Sequence, residues 1–426
     1  MSSKKVHFMG VGGAGCSAAF AIARLQGWKV SGCDKEKDSP YLDKKLREFM
    51  SVGHSPEHTE DIDLLVYSPA VTSFDPQNAE LEAARKKGLE VLPWDKFVAR
   101  ELLKNKFVIA IAGTHGKGTV TAMVGVLLER AGLDPTCLVG AVVADWERNW
   151  RVGKSKYFVI EADEYSEKFL NFSPNIAAIT NIEFDHPEYF RDFDDMKRAF
   201  KKFVNKLPKT SVLVVGPGVA LENKNGKTVR VNKGVDMNLR MIGEFNRVNA
   251  AVAATIVKEL GINADLINDS LINFKGLARR FEFKGEEKGV LVFDDYAHHP
   301  TAIEKTLQAA SEKFTDKKIW LVFQPHLFTR TKALFDDFVR VFSASSASQI
   351  VLVDIFAARE KNQLNISSAD LVRVVSSDRV KYIPSLEEAA TYLVKELSVG
   401  DVVITMGAGD IYKLPDRLLE KLKGKG

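Results

Sequence analysis

Short uninterrupted apolar runs recur along this chain, separated by longer stretches whose apolar residues repeat at helical spacing. The runs at residues 107–112, 157–160, 176–180, 290–293, 319–323, 350–353 and 402–405 have the length and continuity of strands covered on both faces. The segments 6–9, 28–32, 63–71 and 89–92, where polar residues stand among the apolar ones, read as further strands, 63–71 ending in a loop. Segments 17–26, 78–87, 96–103, 120–131, 193–206 and 243–260 carry the helical pattern between them. Strands alternating with helices predict parallel sheets joined by crossover helices, an α/β architecture. Many of the runs end in glycine or in hydrogen-bonding residues. In open α/β sheets that carboxyl edge is where ligands bind.

Two of these endings are glycine-rich. The first, Gly10-Val11-Gly12-Gly13-Ala14-Gly15, is a full G-x-G-x-x-G between a strand and a helix, with Asp34 near the end of the second strand. This is the pattern of a dinucleotide-binding βαβ unit, and it leaves NAD or NADP binding open. The second, Gly113-Thr114-His115-Gly116-Lys117-Gly118-Thr119, follows the run at 107–112 and precedes the helix at 120–131. Unpaired N–H groups at such a helix start point at phosphate, and the helix dipole favours its charge. Lys117 adds a cation for the β- and γ-phosphates, and the Thr119 hydroxyl is placed to ligate Mg²⁺. The loop is shorter than the common phosphate-binding form and has Gly118 inserted between Lys117 and Thr119.

The strand at 157–160 delivers Glu161-Ala162-Asp163-Glu164 at its carboxyl end, where a carboxylate can complete a Mg²⁺ site with Thr119 and phosphate oxygens. A lone histidine is more often packed than ligating. The placement of His186 after the run at 176–180, beside a nucleotide loop, favours a ligand role. Asn246 and Asn249 stand three apart on one helical face, as caps or as contacts to a base. A polar break at Lys104-Asn105-Lys106 marks a first domain boundary.

At 426 residues the chain predicts two or three domains. A net charge of +4 gives no case for nucleic-acid binding by bulk electrostatics. Cys16, Cys33 and Cys137 show neither metal spacing nor a framework of pairs, as expected of reduced thiols in a cytoplasm. No signal-peptide pattern opens the sequence and no apolar stretch is long enough to span a bilayer. The expectation is a cytoplasmic protein without a membrane partner, a monomer or a homodimer.

Taken together, nine stretches in this order resemble the Mur ligase family of peptidoglycan synthesis. They are residues 10–15, 113–119, 161–164, 181–186, 243–249, 279–280, 294–300, 324–330 and 407–410. The resemblance implies three domains: a Rossmann-like UDP-sugar-binding domain at 1–104, a central P-loop ATPase-type domain with a parallel sheet at 105–278, and a Rossmann-like amino-acid-binding domain at 279–426. It turns the dinucleotide signal of the first loop into a UDP-sugar signal. Gly12, Gly13, Ala14, Gly15, Asp34 and Ser68 then face UDP-N-acetylmuramate. It also implies ATP and Mg²⁺ as cofactors and L-alanine as the second substrate, joined through an acyl phosphate.

By position, the resemblance gives the nucleotide Gly113, Thr114, His115, Gly116, Lys117, Gly118 and Thr119, with Asn246 and Asn249 at the adenine and Arg280 and Asp295 from the last domain. It gives the metal Thr119, Glu161 and His186, and the substrate Tyr296, His298, His326 and Arg330. The catalytic set is Lys117, Glu161, His186, Arg280, His298 and Arg330. Three features depart from the alanine-adding branch. Lys117-Gly118-Thr119 is similar to the folylpolyglutamate synthase branch, residues 207–243 look trimmed, and Leu327 stands where an arginine is usual. Phe200 occupies the place of a carbamylated lysine found in sister ligases, so no carbamate is expected. A ligase adding a tripeptide or another amino acid, an NAD(P)-dependent oxidoreductase and a silent nucleotide-binding regulator are the alternatives.

Overall fold

The computed structural model describes residues 4–358 and 360–424. The chain divides into two compact units. The first comprises Met1–Glu183, Asp194–Leu239 and Arg247–Leu277; the second comprises Phe184–Phe193, Arg240–Asn246 and Ala278–Gly426.

The first unit holds two sheets. Strands β1 (Lys5–Met9), β2 (Lys29–Asp34), β3 (Met50–Val52), β4 (Leu64–Tyr67) and β5 (Glu90–Pro93) are ordered 3-2-1-4-5, all parallel. Strands β6 (Phe107–Ala112), β7 (Thr136–Val143), β8 (Arg148–Arg151), β9 (Tyr157–Glu161), β10 (Ile176–Ile179), β11 (Val212–Val215) and β12 (Lys227–Arg230) are ordered 12-11-10-6-9-7-8. Only the β7–β8 pair of that sheet is antiparallel. The central strand β6 is buried from Val108 onward, and so are β10 and the core of β9. This explains their continuous apolar runs. Residues 207–243 supply β11 and β12 at the sheet edge.

The second unit has one sheet, β13 (Glu282–Glu287), β14 (Val290–Asp295), β15 (Ile319–Phe323), β16 (Gln349–Leu352), β17 (Val380–Tyr382) and β18 (Val402–Met406), ordered 13-14-18-15-16-17. It is parallel except for β13 against β14. Apolar clusters cover both faces, one around Leu321, Phe323, Phe338 and Ile404, the other around Val292, Val322, Leu393 and Leu418.

Helix starts differ from the sequence expectation in an instructive way. The first helix is Ala14–Leu25, with Gly13 as its N-cap. The last glycine of the first loop therefore sits inside the helix rather than before it. A Cβ on Gly15 would meet the Trp94 ring, 2.7 Å from Cε2, so glycine here lets helix and tryptophan pack closely. The helix after the second loop is Lys117–Arg130, capped by left-handed Gly116. That start places Lys117 and Thr119 in the first turn, three residues earlier than the periodicity alone suggests.

Candidate active site

The second glycine loop is built by the strand that precedes it and clamped by a strand end nearly seventy residues later. Gly113 has φ +126° and Gly116 φ +82°, conformations that suit glycine. A side chain at Gly113 would collide with Thr180, and one at Gly116 with the Asn249 amide. The segment after β10 closes the loop: Asn181 Oδ1 accepts from His115 N at 2.9 Å and Asn181 Nδ2 donates to His115 O at 2.9 Å. Thr180 Oγ1 donates to the same carbonyl at 2.6 Å. Thr114 Oγ1 donates to Glu183 O at 2.9 Å, and His115 Nε2 lies 3.0 Å from Glu183 Oε2.

Lys117 reaches back across this loop. Its ammonium donates to Gly113 O at 2.7 Å, Thr114 O at 3.3 Å and Glu164 Oε1 at 2.9 Å. Burial opposes its charge, but Glu164, Asp163 and Glu161 outweigh it and hold the lysine above its ordinary value. Thr119 is buried in the same turn. Glu161, at the end of β9, accepts from Gly140 N at 2.7 Å. Its Oε2 would lie 3.2 Å from a Cβ on Gly118, so the inserted glycine keeps room beside this carboxylate. Oxygen donors converging on a lysine and a helix start suit a hard divalent cation with phosphate. Among the described residues the sequence expectation missed as partners are Glu164, Thr180, Asn181 and Glu183, although all stand in or beside motifs already visible.

The first loop is held differently. Gly12 N donates to Asp34 Oδ2 at 2.7 Å, and Gly10 N to Cys33 O at 2.8 Å. Gly13, Asp34 and Ser68 line a cleft of about 380 Å³ together with Lys35, His54 and Asn78. Ala14 and Gly15 are instead structural: Ala14 O accepts from Asn149 Nδ2 at 2.8 Å, and Gly15 faces Trp94.

Asn246 and Asn249 lie on the helix Glu244–Lys258 and are both buried. Asn246 Nδ2 donates to Ile242 O at 2.8 Å. Asn246 and the remaining expected residues belong to the second unit. There Arg330, 3% exposed, places Nε and Nη2 each 3.0 Å from Asp185 Oδ1. Its Nη1 is 3.2 Å from His326 Nδ1 and its Nη2 is 3.4 Å from His186 Nδ1. Burial works against the charge of Asp185, but His186 and Arg330 outweigh it and hold the carboxyl well below the usual range. Burial and the Arg330 charge push His298 well below its ordinary value. A neutral His298, its Nδ1 bound to Tyr296 O at 3.0 Å, leaves Nε2 as an acceptor. His326 stacks on Phe356 with centroids 5.8 Å apart.

Asp295 accepts from Phe281 N and Ala297 N, both at 2.7 Å, and burial raises its pKa despite the opposing charge of Arg280. Arg280 lies over the Tyr296 ring at 5.3 Å. Four residues here hold positive φ without being glycine: His186 (58°), Arg279 (59°), Phe281 (50°) and Leu327 (67°). Such backbone is costly and concentrates at ligand sites. Asp185, which organises Arg330, was not among the expected site residues, although it lies in the stretch 181–186 that carries the resemblance.

Comparison with known proteins adds to this geometry. Residues 5–106 match the Mur ligase family, catalytic domain, residues 111–220 the Mur ligase middle domain, and residues 279–409 the Mur ligase, glutamate ligase domain. The chain is 37% identical to the UDP-N-acetylmuramate–L-alanine ligase of Clostridium acetobutylicum over 457 aligned positions, covering 98% of each chain. It is similar to the crystal structure of UDP-N-acetylmuramate-alanine ligase from Thermotoga maritima, with TM-score 0.80, 25% identity, and 99% of this chain and 100% of that one covered. A murein peptide ligase from Psychrobacter arcticus shares the fold at TM-score 0.70 and 23% identity, with 99% of each chain covered.

Proposed function

The chain belongs to the Mur ligase family, and from that premise we propose that it is an ATP-dependent ligase joining L-alanine to the lactyl carboxylate of UDP-N-acetylmuramate. The observation that carries the ATP half is the loop at Gly113–Thr119. It presents a helix start, a buried cation and a strand-end carboxylate to the same place. The acceptor half is supported by full-length relatives named for that reaction. The cleft beside Gly13, Asp34 and Ser68 is assigned to the UDP-sugar.

The chemistry proceeds in two transfers. A lactyl carboxylate oxygen attacks the γ-phosphorus of ATP, the bond to the β-bridging oxygen breaks, and ADP leaves. The L-alanine amine then attacks the acyl carbon, loses a proton, and expels phosphate with its C–O bond. Phosphoryl transfer rests on positioning and neutralised charge, and Lys117 supplies a fixed cation for the γ-phosphate. Thr119 and Glu161 fit Mg²⁺, with His186 assigned as a further ligand; the ion supplies charge neutralisation at the phosphates. Neutral His298 is assigned to accept the amine proton, and Tyr296 and His326 to the substrate. Asn246, Asn249, Arg280 and Asp295 are assigned to the nucleotide.

Arg330 is assigned to the amino-acid carboxylate, which must share the guanidinium with Asp185. Leu327 is buried and offers no second cation. This favours a permissive amino-acid pocket and keeps the tripeptide-adding reading in view. The deciding assay supplies UDP-N-acetylmuramate, Mg²⁺ and ATP with single amino acids or with tripeptide, and follows ADP. ADP release with L-alanine, and weaker release with glycine or L-serine, is expected. Rejection of every single amino acid with turnover of tripeptide transfers the assignment to the recycling reaction. Arg330→Ala should raise the amino-acid KM far more than the ATP KM.

A further inference from the structure

Next to the first glycine loop, whose Gly10 amide bonds the Cys33 carbonyl, the first sheet buries a cluster of side chains that has been given no part in the ligase chemistry. His7 on β1, Cys33 on β2, His58 in the turn Pro56–Thr59 and Glu80 in the helix Ala79–Lys86 each offer one ligand atom, all within 4.8 Å of one another. His7, Cys33 and Glu80 are at most 2% exposed, and His58 is half-buried. We propose that His7, Cys33, His58 and Glu80 form a structural zinc site that fastens the 53–59 segment and the helix Ala79–Lys86 to the sheet.

Three observations carry this. The first is spacing. His7 Nε2 is 3.0 Å from Glu80 Oε1, His58 Nδ1 3.2 Å from Glu80 Oε2, and Cys33 Sγ 3.4 Å from Glu80 Oε2. The four ligand atoms lie within 4.8 Å of one another, and a zinc tetrahedron with bonds of ~2.0–2.3 Å has edges of roughly 3.3–3.7 Å, so Glu80 must turn to offer one oxygen and the other side chains must draw together by up to about an ångström as an ion enters. The second is orientation from outside the cluster. His7 Nδ1 lies 2.8 Å from Ser31 Oγ, which turns Nε2 inward, as the outer hydrogen bond of a metal-bound imidazole does. The third is charge. The walls include Met9, Leu65, Leu81 and Ala84, and a buried carboxylate in such surroundings needs compensation. One thiolate and one carboxylate neutralise a dication, with two neutral imidazoles completing the set. Binding releases the Cys33 proton, since a metal-bound thiol is deprotonated.

The alternative is a metal-free network in which the thiol, both imidazoles and the Ser55 amide, at 3.0 Å, donate to Glu80. His54 Nδ1, 3.1 Å from Cys33 Sγ, also touches the cluster and lines the neighbouring cleft. Full-length protein, stripped with chelator and titrated with zinc and with cobalt(II), separates the two. The expected result is one zinc per chain surviving dialysis in millimolar Mg²⁺, and a thiolate-to-cobalt charge-transfer absorption with tetrahedral d–d bands. Cys33→Ser and His58→Asn should lose the retained zinc. Ser31→Ala should weaken it about ten- to a hundredfold, and Lys117→Ala should retain it. A cobalt complex without the thiolate band, no stoichiometric zinc in the wild type, or zinc retained unchanged in Cys33→Ser would overturn the site. The wild-type spectrum decides even if a variant fails to fold.

Discussion

The two glycine-rich turns of the first unit share a strand, a tight loop and a following helix, yet a carboxylate caps the amides of one and an ammonium binds the carbonyls of the other. At the first, the Gly12 amide already holds the Asp34 carboxylate at 2.7 Å, which puts negative charge under the helix start. At the second, the corresponding ground is occupied by Lys117, whose carboxylate partner Glu164 is buried beside it. A helix start attracts phosphate wherever it is exposed, but a neighbouring anion repels it and a cation strengthens it. The difference separates a turn that contacts a ligand by shape and hydrogen bonds from one that handles transferred phosphate. Glycine spacing alone does not distinguish them.

The largest expected effect comes from removing that cation. Lys117→Ala should lower turnover by about 10²–10³-fold, the ~3–4 kcal/mol of one lost transition-state charge contact. The buried partner adds a stability cost that the loop sequence alone does not suggest. Lys117 and Glu164 are 13% and 1% exposed, and stranding one member of a buried pair costs about 3–5 kcal/mol. Adding Glu164→Gln should therefore recover much of the thermal stability while leaving turnover as low as in Lys117→Ala alone. Near-wild-type turnover in Lys117→Ala, or recovery of both properties together, would erase the distinction between the two turns.

This pairing shows where sequence reading stops. Most central strands and both glycine turns were legible because a buried parallel strand is a continuous apolar run, and phosphate loops have local spacing; β11 was passed over although Val212–Val215 is such a run. Glu161 was legible because it ends such a run. The role of Glu164 was not, since it depends on contact across 47 positions. Nor was the hold of Asp185 on Arg330, 145 positions apart. Leu327 could be read as a missing arginine, but not as a buried residue at φ +67°, because nothing local demands a strained leucine. The short strands β3, β12 and β17 were invisible for the opposite reason. They lie at sheet edges and carry mixed exposure, so no apolar run marks them.

A smaller effect sharpens the comparison through two glycines in helical first turns. Gly15→Ala drives a methyl into the Trp94 ring, and overpacking of this kind costs about 1–3 kcal/mol. It should lower the melting temperature and spare the turnover of the folded fraction. Gly118→Ala meets Glu161 Oε2 at 3.2 Å, a flexible carboxylate that can give way, so stability should change little. The displaced carboxylate is assigned to Mg²⁺, and the Mg²⁺ concentration needed for half-maximal rate should rise. Thermal melts beside Mg²⁺ titrations read both. The same profile in the two variants would mean that the loops differ less than their contacts indicate.

The smallest effect tests the first turn directly. Asp34→Asn keeps an oxygen able to accept from Gly12 N and removes only the charge. The loop should hold its shape, because a neutral acceptor retains part of the hydrogen bond. What changes is the cleft that Asp34 shares with Gly13 and Ser68. Asp34 is also assigned to a hydroxyl of the sugar nucleotide, and replacing the charged acceptor of that bond by a neutral one forfeits about 1 kcal/mol, so the KM for UDP-N-acetylmuramate should rise roughly fivefold. The KM for ATP should stay where it was, because that nucleotide is assigned to the Lys117 turn. Calorimetry with NADH should show no binding to either protein. If either protein binds NADH, the first turn is a dinucleotide site and its assignment to the sugar nucleotide falls. If the ATP KM moves as far as that of the sugar nucleotide, the two turns do not divide the substrates between them.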